Sequence, residues 1–436
     1  MNQPSESAAV ISKPWYQRIG PGLITACVVI GPGSILTSSS VGANNEYSML
    51  WVVAVSVIFM LTYMTLGARL GVVAAKAPGD LIRDKAGKWL SALVGICVFF
   101  ISAAFQSGNN IGVGAAFEAF SDSKPLVAGL IVLFNVVAIS FLFAFKNLYR
   151  TLERLMMGFV ALMLLSFAFN LISLKPSVSK MAAGLIPNFE GIDIAVLGLV
   201  GTTFVVTAAY YQAYLVRQKG WGISELKSGL IDARVGTAIM ALITVMLMST
   251  AAAGLYKGGE SVALGSPVDV AKSLEATFGP SAKIIFCFGL FSAAYSSFLV
   301  NSMIGGFIVA DGLGLGSKPT DLWPRLMTTV ALLTGMVVAL AFILLDFDRT
   351  PTIIAAQAVT VVGAPLIAGV LLWLTSRRDI MGDHVNGPVM KAFAGLGFVL
   401  LLAMAGKTAF VDLPEKVESY RASLQETATV EPTSSY

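Results

Sequence analysis

Residues Gly31 to Ser40 read GPGSILTSSS, inside a longer apolar stretch, PGLITACVVIGPGSILTSSSVGA, that runs from Pro21 to Ala43. Pro32 lacks an amide donor and clashes with the carbonyl four residues back. Gly31 and Gly33 let the backbone leave helical geometry. Five hydroxyls follow: Ser34, Thr37, Ser38, Ser39 and Ser40. In lipid, freed backbone groups must be satisfied or line a cavity. A helix broken at mid-depth therefore reads as a binding site. The plainer alternative is a proline kink in a packed helix.

The rest of the chain supports the membrane setting. Of its 436 residues, 56% are hydrophobic and 12% are charged, against about 25% charged in soluble domains. The apolar residues come in long runs with charges between them, the pattern of a polytopic helical membrane protein. The ten-residue alternation of a membrane barrel is absent. Eleven spans are expected, near 20–43, 48–75, 89–118, 124–145, 152–174, 192–216, 230–256, 282–311, 324–345, 351–375 and 388–406. They form one transmembrane domain, 19–406. Residues 1–18 are expected to be a polar cytoplasmic tail, and 407–436 a polar, disordered one. No signal peptide is read at the N-terminus.

Charge distribution gives an expected orientation. With the N-terminus inside, cytoplasmic segments hold Lys13, Arg18, Arg69, Lys76, Arg83, Lys85, Lys88, Lys146, Arg150, Arg154, Arg217, Lys219, Lys227, Arg234, Lys318, Arg325, Arg377, Arg378 and Lys391. These are 19 of the 29 basic residues. The bias puts the N-terminus in the cytoplasm and the C-terminus outside. Asp232, Arg234 and Asp311 lie near span ends. They read either as snorkelling or helix-end ion pairs, or as contacts of a cytoplasmic gate.

Several chemistries are disfavoured. Cys27, Cys97 and Cys287 lie in apolar runs without metal-site spacing. The single histidine, His384, lies in a loop. There is no nucleophile–base pair or phosphate loop. An enzyme, a cofactor and a nucleic-acid partner are not expected. The expected partners are a small ion or solute and the lipid bilayer, and nothing in the chain sets an oligomeric state.

The break has its own electrostatics. The first half-helix ends near Ile30, and its free carbonyls favour a cation. The second begins near Ser34, a candidate N-cap, and its amides favour an anion or a lone pair. GPGS itself contains no carboxylate.

At this point the chain resembles the Nramp family of divalent metal transporters, from about Ile19 to Lys407. The resemblance is carried by GPGLITACVVIGPGS in the first span, GLIP at 184–187 and SGLID at 228–232. It is also carried by AAYSSFLVNSMIGGFIVADG at 293–312 and AAQAVTVVGAPLIAGVLLWLTSRRDIMG at 355–382. It implies a leucine-transporter-like fold, all-α and membrane-integral. Two inverted five-helix repeats are implied, with span 1 and also span 6 broken at the substrate site. The family's metal-binding Asp falls here on Gly31, and its Asn on Ser34. The sixth-span Met-Pro-His motif falls on Val205, Val206 and Thr207. A carbonyl ligand falls at Thr202, and a later histidine of that span at Gln212. A tenth-span glutamine is kept as Gln357. The acidic residue of the third span has no counterpart in AFQSGNNIGVGAAF, which offers Gln106, Asn109 and Asn110.

These replacements remove the carboxylate, the thioether and the imidazoles that Mn²⁺ and Fe²⁺ favour. Mg²⁺ and Ca²⁺ also want carboxylate oxygen. The expected substrate site is Gly31, Ser34, Thr202, Val205 and Gln357, with Thr207, Gln212, Gln106, Asn109 and Asn110 as nearby polar groups; metal ligands are unassigned. Without its proline, span 6 should break at Gly201–Thr203, or else GTTFVVT is an ordinary buried helix. Gln357 and the 109–110 pair read equally as interhelical hydrogen bonds. The family implies a metal cation transporter with proton symport. The residues fit a neutral or organic solute better, with weak or no proton coupling. A non-transporting membrane sensor on the same fold is the other reading. Short loops point to a bacterial cytoplasmic membrane.

Overall fold

The computed structural model describes residues 19–145, 147–189, 192, 194–345 and 350–430. Within helices, the side chains of 194, 276–278, 350–359, 361, 362, 420 and 423–430 fall outside that description. The N-terminal segment 1–18 lies outside it too.

The described chain is helical, and its order repeats. The first half is a broken helix, α1 (Pro21–Val29) and α2 (Pro32–Asn45), then α3 (Leu50–Val73), a short α4 (Pro78–Ala86), α5 (Lys88–Glu118), α6 (Lys124–Ala144) and α7 (Leu148–Leu174). A short α8 (Val178–Ala183) leads to the second half. There a broken helix recurs, α9 (Ile194–Thr203) and α10 (Val206–Gln218). It is followed by α11 (Leu226–Gly254), a short α12 (Pro267–Phe278), α13 (Pro280–Gly312), α14 (Leu322–Leu344) and α15 (Thr350–Thr375). Both halves thus place a short helix between their second and third spans. Five crossings per half reverse the direction of the second, which makes the repeats inverted. One junction shows the repeat at backbone level. Gly87 (φ 92°, ψ 168°) joins α4 to α5, and Gly279 (φ 83°, ψ 177°) joins α12 to α13. Nothing crowds either position, so the left-handed φ alone selects glycine.

Among the described residues, nine helices are long and apolar enough to cross a bilayer, and the bent pair α1–α2 makes ten. The remaining expected span, 351–375, coincides with α15. After α16 (Arg378–Met381) and α17 (Pro388–Lys407), the chain departs from expectation. Instead of a disordered tail from 407, a π-turn at Thr408–Asp412 runs into α18 (Leu413–Val430). The segment is rich in Glu, Lys, Ala, Leu and Gln, which are helix formers.

Small residues set the closest approaches. On α3, Gly67 and Gly71 lie against Ala209 and Ala213 of α10, where an added Cβ would overlap backbone. This is a small-xxx-small contact on both helices. Gly22 of α1 meets Gly236 of α11 in the same way. On the other side of the molecule, Gly305 of α13 packs on Ser102 of α5, and Gly306 on Thr328 of α14.

Many of the basic residues, among them Lys85, Arg217, Lys219 and Arg377, gather at one end, here called the basic face. Arg217 donates to the carbonyls of Ala74 (2.6 Å) and Ala75 (3.2 Å), closing the end of α3. Arg377 and Lys85 flank Asp379 and hold its exposed carboxyl below the usual carboxylate range.

The packing yields a prediction. Gly71→Ala should destabilise the protein by about 1–3 kcal/mol through overpacking. Gly33→Ala, where a Cβ meets nothing within 4 Å, should be neutral or mildly stabilising. Melting of the purified chain in detergent checks both; equal losses would contradict the packing described.

Candidate functional site at the two helix breaks

α1 and α2 meet at 59°. Each begins with proline at its first position, after Gly20 and Gly31 respectively. Pro32 wedges against α5 at Gly112, where a side chain would overlap the ring. That contact holds the break beside Asn109, about one turn away on α5.

The hydroxyls divide into two sets. Ser34, Ser38 and Ser39 are buried; Thr37 and Ser40 are half-buried, and Gly33 is exposed. Gly33, Thr37 and Ser40 are spaced i, i+4, i+7 and form one face of α2. Ser34 donates across the break to the Val29 carbonyl, and its Oγ lies 3.4 Å from the Thr202 carbonyl. The Ser297 hydroxyl donates to the Val28 carbonyl at 3.3 Å. Two of the carbonyls freed by the break are therefore answered by serines.

The second break lies two residues later than GTT suggests. α9 runs through Thr203, and Phe204–Val205 leaves the helix, with Val205 at φ −88°, ψ 90°. Thr202 bonds back to the Gly198 carbonyl at 3.0 Å, which keeps its own turn helical. The Phe204 ring packs on Tyr63 (5.2 Å) and Phe59 (5.8 Å) instead of continuing the helix. The pieces still read as one span, Ala195–Gln218. Without a proline, the break depends on tertiary contacts. The two breaks are tied together by the Thr37 and Thr202 hydroxyls, 3.0 Å apart.

The structure sorts the expected residues. Gly31, Ser34, Thr202 and Asn109 come together. A Cβ at Gly31 would sit 3.0 Å from Ser297 Oγ and 3.4 Å from Asn109 Oδ1. Gln106 and Asn110 are turned to a buried amide network. Gln106 donates to the Phe298 carbonyl (3.1 Å), and its Oε1 accepts from Asn109 and Asn301, each at 3.3 Å. Asn135 of α6 donates to Asn110 Oδ1 at 2.7 Å. This network leaves the Asn109 oxygen facing the break. Val205 and Thr207 instead line a small, mostly apolar pocket with Ile101, Phe105, Leu401 and Met404. Gln212 lies further along α10 and is engaged at the basic face. Gln357 sits on α15, but its side chain lies outside the described residues.

Ser297, Asn301 and Asn135 went unrecognised as interior groups in the sequence. The available signal was that amides and hydroxyls within membrane spans face the interior because lipid cannot satisfy them. Asp232 and Asp311 also differ from the ion-pair reading. Among the described residues neither carboxylate pairs with a cation. Asp232 accepts from backbone amides of α1, and Asp311 from the Gly79 amide (2.8 Å) and the Tyr214 hydroxyl (2.6 Å). Among the described residues no group of three or more His, Cys, Asp or Glu could hold a metal ion.

Residues 22–410 match the family model described as natural resistance-associated macrophage protein-like, Nramp. The chain belongs to the Nramp family. It is 25% identical over 402 residues to the divalent metal cation transporter MntH of Deinococcus radiodurans, covering 90% of this chain and 88% of that one. The MntH of Yersinia enterocolitica is 24% identical over 408 residues, with 90% and 94% coverage. Among solved structures, the Eremococcus coleocola manganese transporter, bound to an aromatic bis-isothiourea compound, superposes with a TM-score of 0.79. It is 17% identical over 96% of this chain and 89% of that one. MhsT in complex with L-phenylalanine superposes at 0.57, with 15% identity and coverage of 88% and 98%. The fold is thus the leucine-transporter type, and this Nramp chain is an integral membrane transporter, not an enzyme.

The bond between the breaks gives a second prediction. In a cycle of Thr37→Val and Thr202→Val, the two changes should couple by about 0.5–1.5 kcal/mol, the net worth of one hydrogen bond. Detergent melting of the four variants measures it. Full additivity would mean that the breaks are not bonded.

Proposed function

We propose that this Nramp chain is a secondary transporter that works by alternating access around the joined breaks. Its substrate would be held by neutral oxygens and amides. One observation carries this reading: Gly31, facing Ser297 and Asn109, stands where the family resemblance places a carboxylate. Relatives are named divalent metal cation transporters, so a metal cation is the first substrate class. Burying a divalent cation among neutral dipoles is costly. A charge-assisted ligand contributes about 1.5–3 kcal/mol, so its loss weakens metal binding by roughly ten- to a hundredfold. A neutral or organic solute is the second class, favoured by the hydroxyl face of Gly33, Thr37 and Ser40. Charge bias supports placing the basic face in the cytoplasm of a bacterial cell.

Uptake into proteoliposomes, with Mn²⁺, Mg²⁺ and a panel of small polar solutes, tests the reading. Saturable Mn²⁺ uptake at micromolar concentration would refute a neutral site. Uptake should proceed without acidifying the lumen, because amides stand where the third-span acid is expected. A lumenal pH dye reports this directly. Gly31→Asp should raise Mn²⁺ affinity at least about tenfold by titration calorimetry. No gain would mean that the site lies elsewhere.

A further inference from the structure

The basic end of α1 is attached to its neighbours by a closed ring of buried hydrogen bonds. α1 starts at a glycine, so it carries no side-chain cap of its own. Asp232 of α11 supplies one from across the interface. Its Oδ1 accepts from the Gly20 amide and its Oδ2 from the Gly22 amide, both at 2.7 Å. A carboxylate is well placed there, because a helix N-terminus presents unpaired amides and positive dipole. The same Oδ2 accepts from Gln212 Nε2 of α10 at 3.0 Å. The amide oxygen of Gln212 then accepts from the Thr25 hydroxyl of α1 at 2.6 Å, which closes the ring. Asp232 and Gln212 are fully buried, and Thr25 is 1% exposed. Gly22 and Gly236 bring the two backbones together at the same level.

We propose that Asp232 is a positioning residue of the transport cycle, pinning the basic-side halves of both broken helices, α1 and α10, to α11 so that the three move as one body. This rests on the alternating-access reading and adds to it a division of labour. A break frees each half-helix to swing alone, and independent swings would open the basic side of the site piecemeal. The pin removes that freedom. It joins the two half-helices that the breaks have cut from their outer halves. Gln212 carries one bond to each of the other two elements, so its loss should free α10 and loosen α1, though less than the loss of Asp232, whose two amide bonds hold α1 directly.

Two native cysteines make the test. Cys27 lies on α1 and is fully buried; Cys287 is buried on α13, away from the ring. The full chain would be placed in nanodiscs in a Cys97→Ala background, and the reaction of each thiol with a water-soluble maleimide followed by mass spectrometry. Asp232→Asn should speed labelling of Cys27 by about tenfold and Gln212→Leu by about threefold, each leaving Cys287 unchanged. The double variant should exceed the faster single by less than about twofold, because both changes break one ring. Unchanged Cys27 labelling would overturn the pin. Equal acceleration of both cysteines would mean general loosening and would also overturn it. If Asp232→Asn does not fold, Gln212→Leu and Thr25→Val, which leave the carboxylate in place, should still speed Cys27 labelling by about threefold over Cys287. The readout needs no substrate. Failure of the uptake panel with intact pin behaviour would therefore count against the transport reading, and the reverse result against the pin alone.

Discussion

Lipid offers no hydrogen bonds, and the design of this molecule follows from that. A helix interrupted at mid-depth exposes carbonyls and amides that only protein groups, or a cargo, can satisfy. Ser34 and Ser297 answer the carbonyls of Val29 and Val28. Gly112 gives Pro32 a seat, and Thr37 and Thr202 tie the first interruption to the second. At the basic end the unpaired amides of α1 are answered by Asp232. Of the hydroxyls that crowd Gly31 to Ser40, Ser34 repairs the broken backbone, Thr37 reaches the second break, Ser38 and Ser39 are buried, and Ser40 is half-buried.

Much of this was legible because proline and glycine act locally. Pro32 with its two glycines announced the first break, and apolar runs with charges between them announced the spans. The second break was misplaced by two residues because no proline marks it. Its position depends on Phe204 meeting Tyr63 and Phe59, which lie far away in the chain. The same limit applied to the polar interior. Gln212 looked like a site residue because a later histidine of the family's sixth span falls on it. Its actual partners, Thr25 and Asp232, are set by how α1, α10 and α11 pack. The helix beyond Lys407 was masked by its polarity, although its residues favour helix individually.

The site combines a metal-family scaffold with uncharged groups. Gly31 leaves a gap where a carboxylate would stand, and Asn109, held by Gln106, turns an oxygen toward that gap. Dipoles of this kind discriminate by shape and hydrogen bonding more than by charge. The scaffold keeps the geometry of a transporter while the groups gathered at the first break are uncharged.

The glycine contacts also have a mechanical consequence. They weld α3 to α10 and α1 to α11 on one side, and α5 to α13 and α14 on the other. The result is two groups of closely packed helices, which meet where Pro32 seats on Gly112. The residues around Gly31 come from both, since Asn109 and Ser297 belong to the second group and the break itself to the first. The seam between them therefore runs past Gly31 and the first break. Any rocking of one group on the other would be felt first at Gly31, where Asn109 and Ser297 face the break.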